Sequence, residues 1–307
     1  MDSFNKVVKK LRKSNMWELL FYSLAIFLIL IIINNYNNPV ENFENNKAKF
    51  ITKNNKNLYD DFYVAYYDEL LFSNDKNNYE VGNIIKNTNM KKKSYILDIG
   101  SGTGHHVKLF NDNGHKCIGI DKSKAMIVSS RKKYPKLQFK HGDALDYMLF
   151  FENTFTHITC LYFTIYYFKN KKHLFDNCFK WLMPGGYLAI HLVNKDKFDP
   201  ILPAGNPFYG VSVQDYAKKR ITNTNVKFDD STYKANFKYS PSKEISTLTE
   251  TFNNGKIVRQ QEHTLYMPTQ KHILELARDS GFTLLSKIKM DKIKYDDQFI
   301  YILKKPN

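Results

Sequence analysis

The chain has 307 residues, with 46 Lys+Arg against 30 Asp+Glu for a formal charge of +16, and is 43% hydrophobic and 25% charged. That usage is ordinary for a globular chain and excludes a disordered, collagen-like or polytopic membrane protein. Cys117, Cys160 and Cys178 are the three cysteines. They lie in apolar stretches without C-x-x-C spacing, which argues against a disulfide scaffold or a cysteine zinc site and for buried free thiols. The charge suits an anionic partner, either nucleic acid or an anionic membrane surface. The abundance of Lys, Asn, Ile and Tyr is also what an AT-rich genome produces without functional pressure.

In chain order, a basic N-terminal segment at 1–16, with Lys6, Lys9, Lys10, Arg12 and Lys13, leads into WELLFYSLAIFLILIII at 17–33. As a helix about 17 residues rise roughly 25 Å, near the ~30 Å of a bilayer's hydrocarbon core. Trp17 and Tyr36 flank the run as interfacial aromatics do. The expectation is one transmembrane helix at 17–33 and a single-pass membrane protein. A cleaved signal peptide is the main rival and a buried core helix the other, but an Asn-rich stretch with no small-residue cleavage site follows. The positive-inside rule sends the main domain across the membrane. The absence of any N-x-[ST] acceptor points instead to a cytoplasmic domain. Residues 34–57, rich in Asn and Lys and aperiodic, read as a linker.

From residue 58 the pattern changes. Tyr59, Phe62, Tyr63, Tyr66, Tyr67 and Leu70 recur at three- and four-residue steps, as on one face of a helix. Residues 94–99 read as a buried strand entering a Gly-rich turn, with a helix starting at 105 and stopping at Asn113-Gly114. Residues 116–121 form a second strand, and Ser123 can cap a helix at 124–134. A third strand at 137–140, a short helix at 144–151, a fourth strand at 156–163, a helix at 171–182 and a fifth strand at 187–193 follow. This alternation implies βαβ units, a parallel sheet and a ligand site at the strand C-termini.

The turn Asp98-Ile99-Gly100-Ser101-Gly102-Thr103-Gly104 is the sharpest motif. Its glycines permit a tight bend and close approach of backbone to a ligand. A dinucleotide fingerprint would read G-x-G-x-x-G, whereas here the third Gly comes one residue early. Asp98 just before the turn would repel a pyrophosphate but suits a cationic amino-acid end. Asp121, at the tip of the second strand, can accept from both ribose hydroxyls. Asp143, after the third strand, can accept from an exocyclic adenine amine.

Together ILDIGSGTGHH, GIDKSKAM, GDALDY and MPGGYLAIHLV resemble the successive motifs of class I S-adenosylmethionine-dependent methyltransferases. The resemblance implies an α/β fold with a Rossmann-like seven-stranded sheet and S-adenosylmethionine as cofactor. It implies that Asp98 and the 100–104 turn (Gly100, Ser101, Gly102, Gly104) hold the methionine part and that Asp121, with Lys122 beside it, holds the ribose. Met126, Asp143 and Ala144 would flank the adenine, and Leu161 in the fourth strand belongs to the same cofactor set. Tyr67-Asp68 resembles the YD segment of a leading helix that closes over the cofactor.

Beyond Val193 the chain departs from a minimal domain of this kind. Stretches at 226–228, 233–239, 245–252 and 256–266 alternate as strands, with Asn253-Asn254-Gly255 as a hairpin turn. They suggest an antiparallel lid at about 195–268 within a domain at 58–307. Thr269 caps a helix at 271–280, and strands at 282–290 and 297–304 complete the sheet. The lid resembles that of small-molecule members and would select the acceptor. Tyr166, Tyr167, His191, Asn206, Tyr209 and His263 are candidate acceptor contacts, and His263, His191 and Tyr167 are the candidates for a catalytic base. The fourth strand lacks an Asn/Asp-Pro-Pro-aromatic quartet, and no Pro-Cys nucleophile loop is present, which argues against a DNA substrate. The expected function is methyl transfer by a membrane-anchored enzyme to a small-molecule or lipid acceptor. RNA or protein methylation and a non-catalytic binding module are the alternatives.

Overall fold

The computed structural model describes residues 15–37, 48–54, 57–92, 94–205, 212–240 and 244–307. It divides into two units, Met1–Ala48 and Lys49–Asn307. Residues 1–14 of the basic segment, and 38–47 and 55–56 of the expected linker, lie outside the described residues.

In the first unit, helix α1 spans Met16–Asn37. Asn15 Oδ1 accepts from the Glu18 N–H at 2.9 Å, and Glu18 Oε2 accepts from the Asn15 N–H at 3.2 Å. This reciprocal pair satisfies two orphan donors of the first turn. The described side chains, through Leu30, are apolar on every side and mostly exposed. Among the described residues no helix is long and apolar enough to cross a membrane. The expectation for 17–33 is met as a helix.

The second unit contains a seven-stranded sheet and a five-stranded sheet. Strands β2 (Tyr95–Ile99), β3 (Lys116–Asp121), β4 (Gln138–His141), β5 (Phe155–Cys160), β6 (Leu182–Val193), β11 (Thr283–Lys289) and β12 (Gln298–Lys304) lie in the order β11-β12-β6-β5-β2-β3-β4. All neighbours are parallel except β12, which runs antiparallel to both β6 and β11. The chain moves outward from β2 through β3 to β4, then returns to the other side of β2 at β5. The strand order thus reverses beside β2, the point where an open α/β sheet binds its ligand.

Helices α6 (Lys171–Trp181) and α7 (Gln270–Asp279) bury Phe175, Cys178, Trp181, Ile273 and Ala277 against one face, with Leu97, Ile158 and Ile190 of the strands. On the other face α3 (Asn74–Asn87), α4 (His105–Asp112) and α5 (Lys124–Lys133) contribute Val81, Ile84, Val107, Phe110 and Ile127. The parallel strands are near-continuous apolar runs because both faces are covered. Ser123 and Thr269 cap α5 and α7 through their side chains, as their positions imply. All three cysteines are buried and free.

The second sheet is the lid, with β7 (Asn223–Lys227), β8 (Thr232–Ser240), β9 (Ile245–Asn253) and β10 (Ile257–Tyr266) antiparallel as expected. Its fifth member corrects the linker boundary. Strand β1 (Lys49–Asn54) pairs in parallel with β10, Lys49 opposite Ile257 through Asn54 opposite Glu262. Six mostly polar residues on a sheet edge carry too little apolar alternation to be read as a strand. Two more corrections follow from local geometry. Residues 144–151 hold only a three-residue 3₁₀ turn at Tyr147–Leu149, capped by Asp146. Strand β5 stops at Cys160, and Tyr162 turns the chain away with φ +53°.

Helix α3 carries charge on its buried face. Lys76 Nζ lies 2.9 Å from Glu80 Oε1, and His106 Nε2 of α4 lies 2.7 Å from Glu80 Oε2. Burial pushes the Glu80 carboxyl up, but Lys76 and His106 outweigh it and hold the group at about 2, below its ordinary 4.5. A carboxyl lowered on folding stabilises the fold fully above its unfolded value, and that stabilisation disappears as pH falls through the folded value. Glu80→Gln would leave Lys76 buried without its counter-charge, at a cost of roughly 3–5 kcal/mol near neutrality. Urea denaturation should show the gap between wild type and variant wide at pH 7 and narrowing between 4.5 and about 2; a gap independent of pH would contradict this account.

Candidate functional site

Where the strand order reverses, the 100–104 turn leaves β2 and enters α4. Gly100, Gly102 and Gly104 have φ of +69°, +53° and +91°, the left-handed region that side chains disfavour. A Cβ on Gly100 would run into the Thr164 methyl, and one on Gly104 into the Phe139 ring. At Gly102 the face is open, with the Tyr67 ring 3.4 Å from where a Cβ would stand. Ser101 N–H donates to the Ile120 carbonyl at 2.9 Å, tying the turn to β3.

Three carboxylates meet this turn. Asp98, 2% exposed, accepts from Thr159 Oγ1 at 2.6 Å. Burial raises its carboxyl above the ordinary range, with Glu80 and Asp121 adding to the rise and His106 and Thr159 opposing it. Asp121 closes β3 and accepts from the Gly102 N–H at 3.0 Å and the Ser123 N–H at 2.8 Å. Burial raises its carboxyl too, against those two amide donors.

Asp68, on helix α2 (Asp61–Leu71), accepts from Thr103 Oγ1 at 2.6 Å and Lys133 Nζ at 2.6 Å and lies 3.1 Å from His105 Nε2. Burial works against its charge, but these partners hold its carboxyl well below the usual range. Helix α2 is thereby fastened over the turn, with Tyr67 facing Gly102. Burial, reinforced by the charges of Asp121, Asp68 and Asp98, makes the Tyr67 hydroxyl hold its proton tightly.

A cleft of about 1250 Å³, open mouth included, lies between this turn and the lid. Tyr67, Asp98, Gly100 and Ser101 line one side; Leu161 and Thr164 after β5 line the floor; Tyr59, Tyr167, Glu250 and His263 line the lid side. Tyr59 Oη donates to Tyr167 Oη at 2.7 Å, and Tyr167 Oη lies 2.8 Å from His263 Nδ1. His263 Nε2 lies 2.5 Å from Glu250 Oε2. The structure therefore brings Tyr67, Asp98, Gly100, Ser101, Leu161, Tyr167 and His263 to one cleft.

Other expected residues stand elsewhere. His191 is fully buried and absent from the cleft wall. Its Nδ1 lies 2.7 Å from the Tyr162 carbonyl, its ring stacks on Tyr162, and burial lowers its pKa to about 4. It is a neutral core histidine, so its nomination as a base is corrected. Tyr166 is also structural, its Oη accepting from the Val193 N–H at 2.8 Å. Met126, 1% exposed, packs with Tyr63, Leu70 and Leu202 beneath α2, outside the cleft lining. Gly102, Gly104, Asp121, Lys122, Asp143 and Ala144 sit on the same strand ends but outside the lining. Asp143 accepts from the Leu145 N–H at 3.0 Å and pairs with Lys122 at 2.7 Å, which outweighs burial and lowers its carboxyl. Ala144 is buried, its carbonyl accepting from Asn177 at 2.9 Å. Asn206 and Tyr209 lie outside the described residues. Sequence reasoning missed Glu250 and Tyr59. The signal for Glu250 was a strand in which it shares a face with Leu248 and Phe252.

Residues 96–186 match a family model described as a methyltransferase domain. A probable S-adenosylmethionine-dependent methyltransferase of Mycolicibacterium smegmatis is 25% identical over 105 residues, 34% of this chain and 40% of that protein. The chain thus spans less than half the length of that curated relative. A solved S-adenosylmethionine-dependent methyltransferase from Clostridium acetobutylicum overlays at a TM-score of 0.62 and 17% identity, covering 82% of this chain and all of that one. CalS10, an amino pentose methyltransferase from Micromonospora echinaspora solved with S-adenosylmethionine bound, overlays at 0.57 and 16% identity, covering 82% and 99%. At those identities the likeness is one of fold. The G-x-G-x-G turn between two strand-end acids at the switch point lies within the residues that match the methyltransferase-domain model, and the sheet that carries it has the fold of the solved S-adenosylmethionine-dependent methyltransferases.

Proposed function

We propose that the chain transfers a methyl group from S-adenosylmethionine to a small-molecule acceptor held between the Gly-rich turn and the lid. The observation that carries this reading is Asp98. It is a buried carboxylate on the cleft wall with, among the described residues, one side-chain donor, Thr159, so burial costs it more than its partner returns. A ligand ammonium in the cleft would offset that cost. Gly100 and Ser101 would hold the same methionine end, and Asp121, Lys122, Asp143 and Ala144 the nucleoside end. The sulfonium supplies an electrophilic methyl group. The residues of the chain bind and orient the acceptor and keep water out, so that its nucleophilic atom lies about 3 Å from the methyl carbon and in line with it.

The acceptor class rests on the lid and on the fold shared with CalS10, which is described as an amino pentose methyltransferase. A sugar-like acceptor with an amino or hydroxyl group fits a cleft with tyrosine and histidine polar groups on apolar walls. For α1 the proposed role is a membrane anchor, with the catalytic domain on the cytoplasmic side in keeping with the absent glycosylation acceptors. A helix that is apolar on every side and exposed has no stripe to bury against a core.

Calorimetry with S-adenosylhomocysteine tests the first reading. Wild type should bind, and Gly100→Ala should bind at least tenfold more weakly because its Cβ meets Thr164 in a backbone conformation it disfavours; no binding by wild type would overturn the methyltransferase reading. Extraction of the expressed chain with alkaline carbonate tests the second. The chain should stay with the membrane pellet, a chain lacking residues 1–45 should be released, and release of both would remove the anchor.

A further inference from the structure

The lid side of the cleft contains more polar order than methyl transfer to a proton-free atom requires. Glu250 is fully buried and accepts four donors: Tyr63 Oη at 3.1 Å and Tyr233 Oη at 2.6 Å on Oε1, Gln261 Nε2 at 2.6 Å and His263 Nε2 at 2.5 Å on Oε2. An ionised carboxylate offers about four lone-pair sites, and here all are taken. Burial pushes the Glu250 carboxyl up, but His263 beside it and the donors from Tyr233 and Gln261 hold it below the ordinary range. Glu250 is an acceptor only, and its charge is fixed.

That charge sets the direction of everything attached to it. In the neutral tautomer whose Nε2–H donates to Glu250, Nδ1 is left as an acceptor. With the ring in that tautomer, Tyr167 Oη, 2.8 Å away, would donate to Nδ1. Having given its one proton to the ring, Tyr167 accepts from Tyr59 Oη at 2.7 Å. The chain of donors runs one way, from Tyr59 in the cleft wall through Tyr167 to His263, and ends on a histidine oriented by a buried carboxylate. A base oriented by a third group is the arrangement that lets a weak nucleophile lose its proton.

We propose that Tyr59, Tyr167 and His263 form a proton relay, with Glu250 as its positioning residue, and that the acceptor nucleophile is an alcohol, phenol or ammonium group that must lose a proton. The inference rests on the methyltransferase reading and names the chemistry of its acceptor. As the acceptor X–H bond breaks, its electron pair forms the bond to the methyl carbon, and the S–C pair stays on sulfur. The proton goes to Tyr59 Oη, Tyr59 passes its own to Tyr167, and Tyr167 passes its own to His263 Nδ1. The imidazolium formed faces the Glu250 carboxylate, so the new positive charge is matched where it appears.

The full chain labelled with ¹⁵N-histidine, with S-adenosylhomocysteine bound, provides the direct test. The ring of His263, assigned by its loss in His263→Asn, should show the Nε2–H neutral tautomer; an Nδ1–H tautomer reverses the chain and overturns the proposal. Turnover with tritiated methyl donor and glucosamine or glycerol as acceptor probe gives the second readout. Glu250→Gln, which keeps the shape and most hydrogen bonds, should lower kcat about 10²–10³-fold, with KM for the methyl donor within about twofold. A fall in donor binding equal to the fall in kcat would assign Glu250 to structure alone and overturn its positioning role. Where neither probe reacts, the tautomer decides. Loss of S-adenosylhomocysteine binding by wild type would sink the parent reading, whereas binding with the wrong tautomer would sink the relay alone.

Discussion

The cleft depends on helix α2 being tied at both ends by carboxylates. At one end Asp68 gathers Thr103, Lys133 and His105 from the turn, α4 and α5. At the other Asp60 caps the helix through the Tyr63 N–H and accepts from Arg259 of β10 at 2.8 Å. Arg259 also donates to the Leu58 carbonyl at 3.0 Å and to Gln261 Oε1 at 3.0 Å. The tyrosines of α2 and the turn before it thus stand between the Gly-rich turn and the lid because the two acids reach opposite ways. Without these ties, a short aromatic helix would be held mainly by non-directional apolar contact with Phe252, Tyr233 and Leu202.

Three acids are buried around this helix, and their surroundings separate their roles. Glu80 has a lysine and a histidine, and Glu250 has four donors. Their charge is matched within the fold, as buried charge generally must be. Among the described residues Asp98 has Thr159 and no cation in direct contact. The same pressure of burial therefore reads as structure at Glu80, as orientation at Glu250 and as an unmet requirement at Asp98. Environment, and not residue type, distinguishes a packed acid from a binding acid.

The fold was legible from the alternation of apolar runs with Gly stops and Ser or Thr caps, and strand β3 appears at the residues expected. What the sequence hid had a common cause. Helix α3 buries Lys76, Asn77 and Glu80 along with Val81 and Ile84, so its inner face is as polar as its outer one and shows no apolar period. Strand β1 borrows its order from the edge of β10. In the site, motif residues were legible because turn chemistry is local, while the relay joins residues far apart in sequence, Tyr59, Tyr167, Glu250 and His263. Glu250 alone left a trace, an acid in phase with Leu248 and Phe252 on β9, where alternation requires the inner face.

The positive charge also changes meaning once the partners are known. Lys76 neutralises Glu80, Lys133 fastens Asp68, and Lys122 pairs with Asp143. Lys171 is buried, donates to the Phe168 and Tyr266 carbonyls at 2.8 and 2.7 Å, and is lowered to about 8 by burial. Arg259 and Arg220 likewise donate to backbone carbonyls or to Asp60. Cations engaged in this way are not free to neutralise phosphates, and phosphate neutralisation is the term that dominates nucleic-acid affinity. Lys76, Lys171 and Arg259 thus stand inside the fold, where they hold helices and strand ends in place.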